Sequence, residues 1–237
     1  MINIIQNTIG ALGRSGGGGD TTSFITTWRT TTASETITIP TTGTGYNYAI
    51  STSDGQSFSG VTGSQAITFA SAGDYDVSIS GDFPRIYFSN GGDKLKMIDI
   101  KQWGDIAWTS FDRSFYGCLN LVNSFTDSPI LIGVISLNNM FRGVSVFVGD
   151  ISIWDISGIN SMSTMFHESI IPTISYDATL IGWEATLQSA FPSGTGYTPT
   201  ISISFGSSEY TGGGAAATAR ASLISNFGWT ITDGGIA

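Results

Sequence analysis

Histidine and cysteine are nearly absent from this chain of 237 residues, since each occurs once, as His167 and Cys118. A single cysteine excludes an intrachain disulfide framework. A single histidine argues against a histidine-based metal site and against a catalytic triad with a histidine to spare. Cys118 lies among apolar repeat residues and is predicted to be a small buried side chain rather than a nucleophile. His167 occupies the repeat position of Tyr116 and Arg142, which indicates a solvated face.

Charged residues are also few. Charged residues make up 11% of the chain and sum to a net charge of −9. This balance opposes nucleic-acid binding, which needs clustered Lys and Arg, and the three lysines within residues 93–105 are interleaved with aspartates. The carboxylates are scattered, so no cofactor is expected, although a Ca²⁺ site in the loops and the two facing carboxylates of a glycosidase stay open. An enzyme is the weaker hypothesis.

Long hydrophobic runs are missing too, because no stretch approaches the ~18 residues of a membrane span. Residues 1–12 are apolar but have no basic region ahead of them, so a secretory signal is not predicted. Four residues here share one helical stripe: Ile2, Ile5, Ile9 and Leu12. A glycine run, Gly16–Gly19, follows as a flexible tether. Residues 1–20 are therefore either a frayed terminus or an anchor to a larger assembly on a tether.

What the chain does contain, from Phe24 to about Phe88, is period-two alternation rich in Thr, Ile and Tyr. The alternating runs predict short strands at Thr36–Ile39, Tyr46–Ile50, Ala66–Phe69, Tyr75–Ile79 and Arg85–Phe88. Turn residues separate them, including Ser53-Asp54-Gly55 and Ser71-Ala72-Gly73-Asp74. This spacing predicts a β-sandwich over residues 21–90, bounded by Gly91-Gly92-Asp93.

The same segment resembles a polycystic-kidney-disease-type (PKD) domain. Residues 48–55, Tyr-Ala-Ile-Ser-Thr-Ser-Asp-Gly, keep the turn of the family's Y-x-V-D-W-G-D-G motif but lack its Trp. Residues 72–81, Ala-Gly-Asp-Tyr-Asp-Val-Ser-Ile-Ser-Gly, match the following strand more closely. The resemblance implies an Ig/PKD-like sandwich.

A repeat organises residues 91–175. Its first copy begins Asp99-Ile100-Lys101-Gln102-Trp103, and its third begins Asp150-Ile151-Ser152-Ile153-Trp154. The middle copy has Pro129 in place of the Trp. The repeat core is predicted to consist of Trp103, Phe115, Phe141, Trp154 and Phe166, in which the phenylalanines are spaced by 26 and 25 residues. A fixed period of this size is typical of a solenoid, with the Asp-Ile-x-x-Trp part extended and the part before each Phe a turn or short helical piece.

Residues 154–166, Trp-Asp-Ile-Ser-Gly-Ile-Asn-Ser-Met-Ser-Thr-Met-Phe, resemble the W-D-V-S-N-V-T-N-M-S-x-M-F signature of BspA-like leucine-rich-repeat surface proteins. Such proteins act in adhesion, so the resemblance implies binding and carries no catalytic residue. Residues 176–237 differ from the repeats, as an end cap should. They predict a helix from Tyr176 to Trp183, a strand at Ile201–Phe205, a helix at Ala215–Asn226 and a strand at Trp229–Thr232.

The predicted fold class is therefore mainly β: an Ig/PKD-like sandwich, a short leucine-rich-repeat-like solenoid and a small α+β C-terminal cap. We expect a non-enzymatic surface-recognition or structural protein. The absence of an export signal and of a C-terminal anchoring segment favours a phage virion component, attached to other virion proteins through residues 1–12, that binds a host surface protein or glycan. A bacterial cell-surface adhesin is the first alternative, and a carbohydrate-active accessory or depolymerase the second. Homo-oligomerisation is left open.

Overall fold

The computed structural model describes residues 20–237. Its strands in the N-terminal part are β1 (Phe24–Thr30), β2 (Glu35–Ile39), β3 (Asn47–Thr52), β4 (Ser57–Val61), β5 (Gln65–Phe69), β6 (Gly73–Asp82) and β7 (Met97–Gln102). Those in the C-terminal part are β8 (Ser202–Ser204), β9 (Glu209–Tyr210), β10 (Thr230–Thr232) and β11 (Gly235–Ile236). The helices are α1 (Thr173–Ala190) and α2 (Ala215–Ser225), with a short 3₁₀ turn at Pro192–Gly194.

The N-terminal strands form two antiparallel sheets, one of five strands in the order β4-β3-β6-β1-β7 and one that pairs β2 with β5. Burial alternates along β2, β3 and β5, as the period-two sequence pattern predicts. The rings of Phe69 on β5 and Tyr75 on β6 stack with centroids 3.9 Å apart, so the two sheets are in contact.

The strand predicted at Arg85–Phe88 is wrong, because this segment has no strand conformation. Its backbone bonds to two separate regions instead: the Tyr87 N–H donates to the Pro40 carbonyl, and the Phe88 N–H to the Ser114 carbonyl. The segment thus connects the sheets to the first repeat.

The five-stranded sheet continues past the boundary predicted at residues 91–93. Strand β7, which lies in the first repeat of the sequence, pairs antiparallel with β1. Directly after it, the ring of Trp103 stacks on that of Phe24 with centroids 5.7 Å apart. The N-terminal sheets and the repeats therefore share both a strand and an aromatic contact.

The repeats place their turns side by side, in register with the sequence period. The N–H of Phe115 donates to the Met140 carbonyl over 2.9 Å, and the N–H of Phe141 donates to the Met165 carbonyl over 3.0 Å. The second half of each copy is a turn, as predicted. The extended conformation expected for Asp150–Trp154 is wrong: this stretch is also a turn, in which the Asp150 carboxylate accepts hydrogen bonds from the N–H and hydroxyl of Ser152.

The C-terminal part packs two helices beside short parallel strand pairs, β8 with β10 and β9 with β11. Helix α1 is longer than its predicted core and buries Tyr176, Leu180, Trp183 and Leu187. The Asp233 carboxylate accepts hydrogen bonds from the Tyr176 hydroxyl and the Arg220 guanidinium, both at 2.7 Å. The structure thus confirms a mainly β fold with antiparallel sheets and a small helical C-terminal part.

No helix in residues 20–237 is both long and apolar enough to cross a membrane.

Candidate binding surface

The predicted repeat-core residues lie in the interior of the described protein: Trp103, Phe115, Phe141, Trp154 and Phe166 are all fully buried. The rings of Phe115 and Phe141 stack with centroids 5.4 Å apart, and those of Phe141 and Phe166 with centroids 5.6 Å apart. Phe205 of the C-terminal part extends the column, 5.7 Å beyond Phe166. Because these rings have no access to solvent, they stabilise the protein and cannot stack on a ligand.

The remaining sequence-predicted residues differ in their exposure to solvent. Cys118 is buried, and this burial raises the pKa of its thiol, which keeps the thiol protonated. His167 lies at the surface next to Glu168, and the Arg142 guanidinium lies over the Tyr116 ring at 5.0 Å. The four anchor residues of the sequence analysis, Ile2, Ile5, Ile9 and Leu12, lie outside the described residues.

An open groove of about 750 Å³ lies where the five-stranded sheet meets the first repeat. Its lining residues come from three adjacent strands, from the turn after β3 and from the segment after the first repeat turn: Thr27, Arg29, Ser53, Asp74, Asp76, Ile98, Asp99, Lys101, Asn120 and Val122. The strand register explains why these residues are close together, because β1 lies between β6 and β7 and carries Thr27 opposite both Asp76 and Asp99. We call this site the charged groove.

Ion pairs organise the charged groove. Arg29 donates two hydrogen bonds to the Asp74 carboxylate, both at 2.7 Å, and Lys101 donates to both oxygens of Asp76 at 2.8 Å. The hydrogen bonds from Arg29 lower the pKa of Asp74 below its usual range, and the Asp74 carboxylate raises the pKa of Arg29. All four side chains keep substantial exposure, so both charges of each pair are accessible to a ligand.

Aliphatic side chains continue the surface beyond the charged groove. The Val122 N–H donates to the Ile98 carbonyl of β7 at 2.9 Å, so the segment after the first repeat turn lies beside the sheet. In the next repeat, Val146 forms a parallel bridge with Ile170. The exposed aliphatic residues of these segments are Leu119, Val122, Val146, Val148 and Ile170, which we call the aliphatic strip. The groove and the strip share Val122.

Sequence reasoning did not find the charged groove. Lys101 stood out only as one of three lysines interleaved with aspartates, and Arg29, Asp74 and Asp76 carry no motif. The strand register brings these residues together: Arg29 and Asp74 are 45 residues apart in the sequence, and Asp76 and Lys101 are 25 residues apart. Neither the composition nor the spacing of the chain encodes this pairing.

Among residues 20–237, no group of three or more His, Cys, Asp or Glu side chains is arranged to hold a metal ion.

The protein is mainly β, with antiparallel sheets and a surface groove, and one segment of the chain matches a known protein family. Residues 85–186 match the family described as "Mycoplasma protein of unknown function, DUF285". The matched range begins just before the first repeat and ends within α1, so the similarity covers the repeats and β7 but not strands β1 to β6. No curated protein and no solved structure matches the chain.

Proposed function

We propose that this protein is a non-enzymatic surface-recognition or structural protein that binds its partner through the charged groove and the aliphatic strip. The observation that carries the proposal is the continuity of the two: strand β7 and the Val122 segment are hydrogen-bonded neighbours, so charges and aliphatic groups share one surface. A mixed surface of this kind suits a protein or glycan partner, because apolar contact supplies affinity while ion pairs supply orientation.

The proposed architecture supports a role in binding. We propose that residues 21–90, with β7, form an Ig/PKD-like sandwich and that residues 91–175 form a short leucine-rich-repeat-like solenoid with a C-terminal cap. In a solenoid each repeat contacts its neighbours, and the stack builds an extended surface used for binding. BspA-like repeat proteins are often found in the family that residues 85–186 match, which is consistent with a surface role.

The pairing of two of the groove's three carboxylates with cations favours binding over catalysis. Asp74 and Asp76 each have a cation at hydrogen-bond distance. The hydrogen bonds from Arg29 lower the pKa of Asp74, whereas the general acid of a glycosidase needs a raised pKa to hold its proton. The alternative of a carbohydrate-active accessory therefore stays in the form of a protein that binds carbohydrate without cleaving it.

Two settings would use such a surface, the phage virion and the bacterial cell envelope. In the virion, residues 1–14 are proposed to attach the protein to other virion proteins. Deleting residues 1–19 should then give a folded protein that is missing from assembled particles. Immunogold labelling separates the settings: label on phage particles supports the first, label on the envelope of intact cells supports the second, and normal incorporation of the truncated chain contradicts attachment through this segment.

Two substitutions test the binding surface with little effect on folding. Lys101→Glu replaces the cation that pairs with Asp76, and Val148→Asp places a charge in the aliphatic strip. Exposed ion pairs contribute only about 0–1 kcal/mol to stability, so Lys101→Glu should fold. Ile224→Asp on α2 is the control for Val148→Asp, because the two parent side chains are similarly exposed, at 40% and 45%.

The measurement is binding of fluorescently labelled full-length protein to a panel of intact bacterial cells and purified surface polysaccharides. We expect both surface variants to lose at least about tenfold in affinity, as for an interface residue whose substitution costs about 1.4 kcal/mol or more, while Ile224→Asp binds like the parent. Binding that both variants retain, or no binding to any member of the panel, would contradict the proposal.

A further inference from the structure

A second surface groove, of about 530 Å³, is lined mostly by aliphatic side chains of the middle repeat. Ile130, Ile132 and Ile135 are exposed there, as is Ile153 of the third repeat, and Ile132 exposes 88% of its surface. The other three expose 40–60% of their surface within the described residues 20–237. Aliphatic groups left in water in this number are unfavourable and mark a surface that binds something. We call this surface the isoleucine groove.

The missing tryptophan of the middle repeat explains why the groove forms at this place. The first and third repeats bury Trp103 and Trp154, whose rings meet edge to face with centroids 5.6 Å apart. The middle repeat has Pro129 at this position, and the Phe125 ring of the same repeat contacts both tryptophans, with centroids 5.4 Å from Trp103 and 6.1 Å from Trp154. Its loop therefore lies at the surface with isoleucines on the outside.

The described chain begins next to the isoleucine groove. The Thr22 carbonyl accepts a hydrogen bond from the Asp105 N–H at 2.8 Å, and the neighbouring Gly104 N–H donates to the Asp127 carboxylate at 2.9 Å. Asp127 directly precedes Ser128, the first residue of the groove lining. The preceding tether, residues 15–19, spans at most about 17 Å when extended. Residues 1–14 are thus attached within reach of the groove.

We propose that residues 1–14 bind in the isoleucine groove of their own chain. Their apolar stripe, Ile2, Ile5, Ile9 and Leu12, would extend over about 15 Å as a helix and would cover the exposed isoleucines. The charges also agree, because Arg14 is the sole charged side chain among residues 1–19 and Asp155 is the sole charged side chain that lines the groove. A short tether gives the segment an effective concentration in the millimolar range, which favours its own groove over that of another copy.

This inference goes beyond the proposed function, since it concerns the free protein rather than its partner. Attachment to an assembly through residues 1–14 would exchange the contact with the isoleucine groove for one with another protein.

A disulfide trap in the full-length chain tests the contact. The variant Ile9→Cys/Ile132→Cys is oxidised and then cut by trypsin after Arg14, and mass spectrometry determines whether the fragment 1–14 stays attached until a reductant is added. The control is Ile9→Cys/Ile174→Cys, because Ile174 on α1 is exposed to a similar degree, at 81%, and does not line the groove. The native Cys118 is fully buried and does not compete.

We expect the fragment to be retained in the Ile132 pair and released in the control pair. Equal retention in both pairs, retention in neither, or disulfide-linked dimers in place of the intrachain bond would each overturn the proposal; dimers would assign the groove to a second copy.

A second measurement needs no crosslink. In the otherwise native chain, Ile132→Asp should raise the rate of tryptic cleavage after Arg14 about tenfold, since loss of one buried isoleucine contact weakens the bound state by about that factor. Ile174→Asp should leave the rate unchanged. A rate that Ile132→Asp does not alter would contradict binding in the groove.

Discussion

Phe141 is the residue at which truncation should damage the repeats most. It is fully buried, and four rings surround it: Phe115 at 5.4 Å, Phe166 at 5.6 Å, Phe147 at 4.6 Å and Trp154 at 6.3 Å between centroids. Replacing a buried Phe by Ala typically costs about 3–5 kcal/mol. For a chain of this length, 1 kcal/mol shifts Tm by about 2–4 °C. Phe141→Ala should therefore lower Tm by roughly 6–20 °C.

The assay is thermal unfolding followed by circular dichroism, with Phe191→Ala as the matched control. Phe191 is only partly buried and has its aromatic contact with Tyr197 alone among the described residues, at 5.3 Å, so its truncation should lower Tm by much less. A Phe141→Ala protein that melts within about 2 °C of the parent would refute the reasoning that the phenylalanine column holds the repeats together.

The structure also changes the prediction of which segments unfold when Phe141 is replaced by Ala. The sequence pattern alone predicts that residues 24–88 survive as a separate unit with its own core. The pairing of β7 with β1 and the stacking of Trp103 on Phe24 connect that unit to the first repeat. We therefore expect one transition for both parts, and limited trypsin digestion of Phe141→Ala should expose the Arg29 site of β1 along with sites in the repeats. A long-lived N-terminal fragment would instead favour the independent unit.

Three further outcomes are expected. Chelation should leave Tm and cell binding unchanged, and a drop of several degrees would indicate Ca²⁺ in the loops. The Thr31 N–H, with a lysine ammonium, lowers the pKa of Glu35 from 4.5 to about 2. The stabilisation that results is present above pH 4.5 and is lost as the pH falls toward 2. Glu35→Gln should therefore have a lower Tm than the parent at pH 7, and this difference should shrink between pH 4.5 and pH 2. Gly206→Ala should lower the free energy of unfolding, measured by chemical denaturation, by at least about 1–2 kcal/mol, because φ is +63° and a Cβ at this position would collide with the Ser169 carbonyl. Gly158→Ala should leave the free energy of unfolding unchanged, because a Cβ there meets open space.

Local pattern predicted the strands that obey period two and missed those that do not. β2, β3 and β5 alternate in burial, β6 does so over residues 76–80, and the sequence places all four to within a few residues. β1 buries the adjacent residues Thr26 and Thr27, which breaks the alternation. β4, Ser-Phe-Ser-Gly-Val, is short, at an edge and largely exposed, so little hydrophobic pattern marks it.

The repeat motif shows how one sequence pattern takes two conformations. In the first copy, the Asp99 carboxylate accepts hydrogen bonds from Ser124 in the next segment, and β1 pairs with the Asp-Ile-Lys-Gln stretch and holds it extended. In the third copy, Asp150 bonds to Ser152 two residues on, and the stretch turns. The difference lies in the third residue, Lys101 or Ser152, and in the presence of a partner strand. The period of the sequence determines which residues repeat, whereas the surrounding strands and side chains determine the backbone conformation of each copy.

The join between the sheet and the repeats gives the candidate surface its shape. Arg29 and Asp74 belong to the sheet alone, Val122 belongs to the first repeat, and Lys101 lies on β7, which belongs to both. Since the Val122 segment is held on β7 by its hydrogen bond to Ile98, a ligand in the charged groove contacts both parts at once. Binding there should therefore stabilise the pairing of β7 with β1, whereas a ligand confined to the aliphatic strip of the later repeats should not. A partner that uses the whole surface needs the two parts to stay joined, so the strand that the sequence assigns to the first repeat is the element on which the proposed recognition depends.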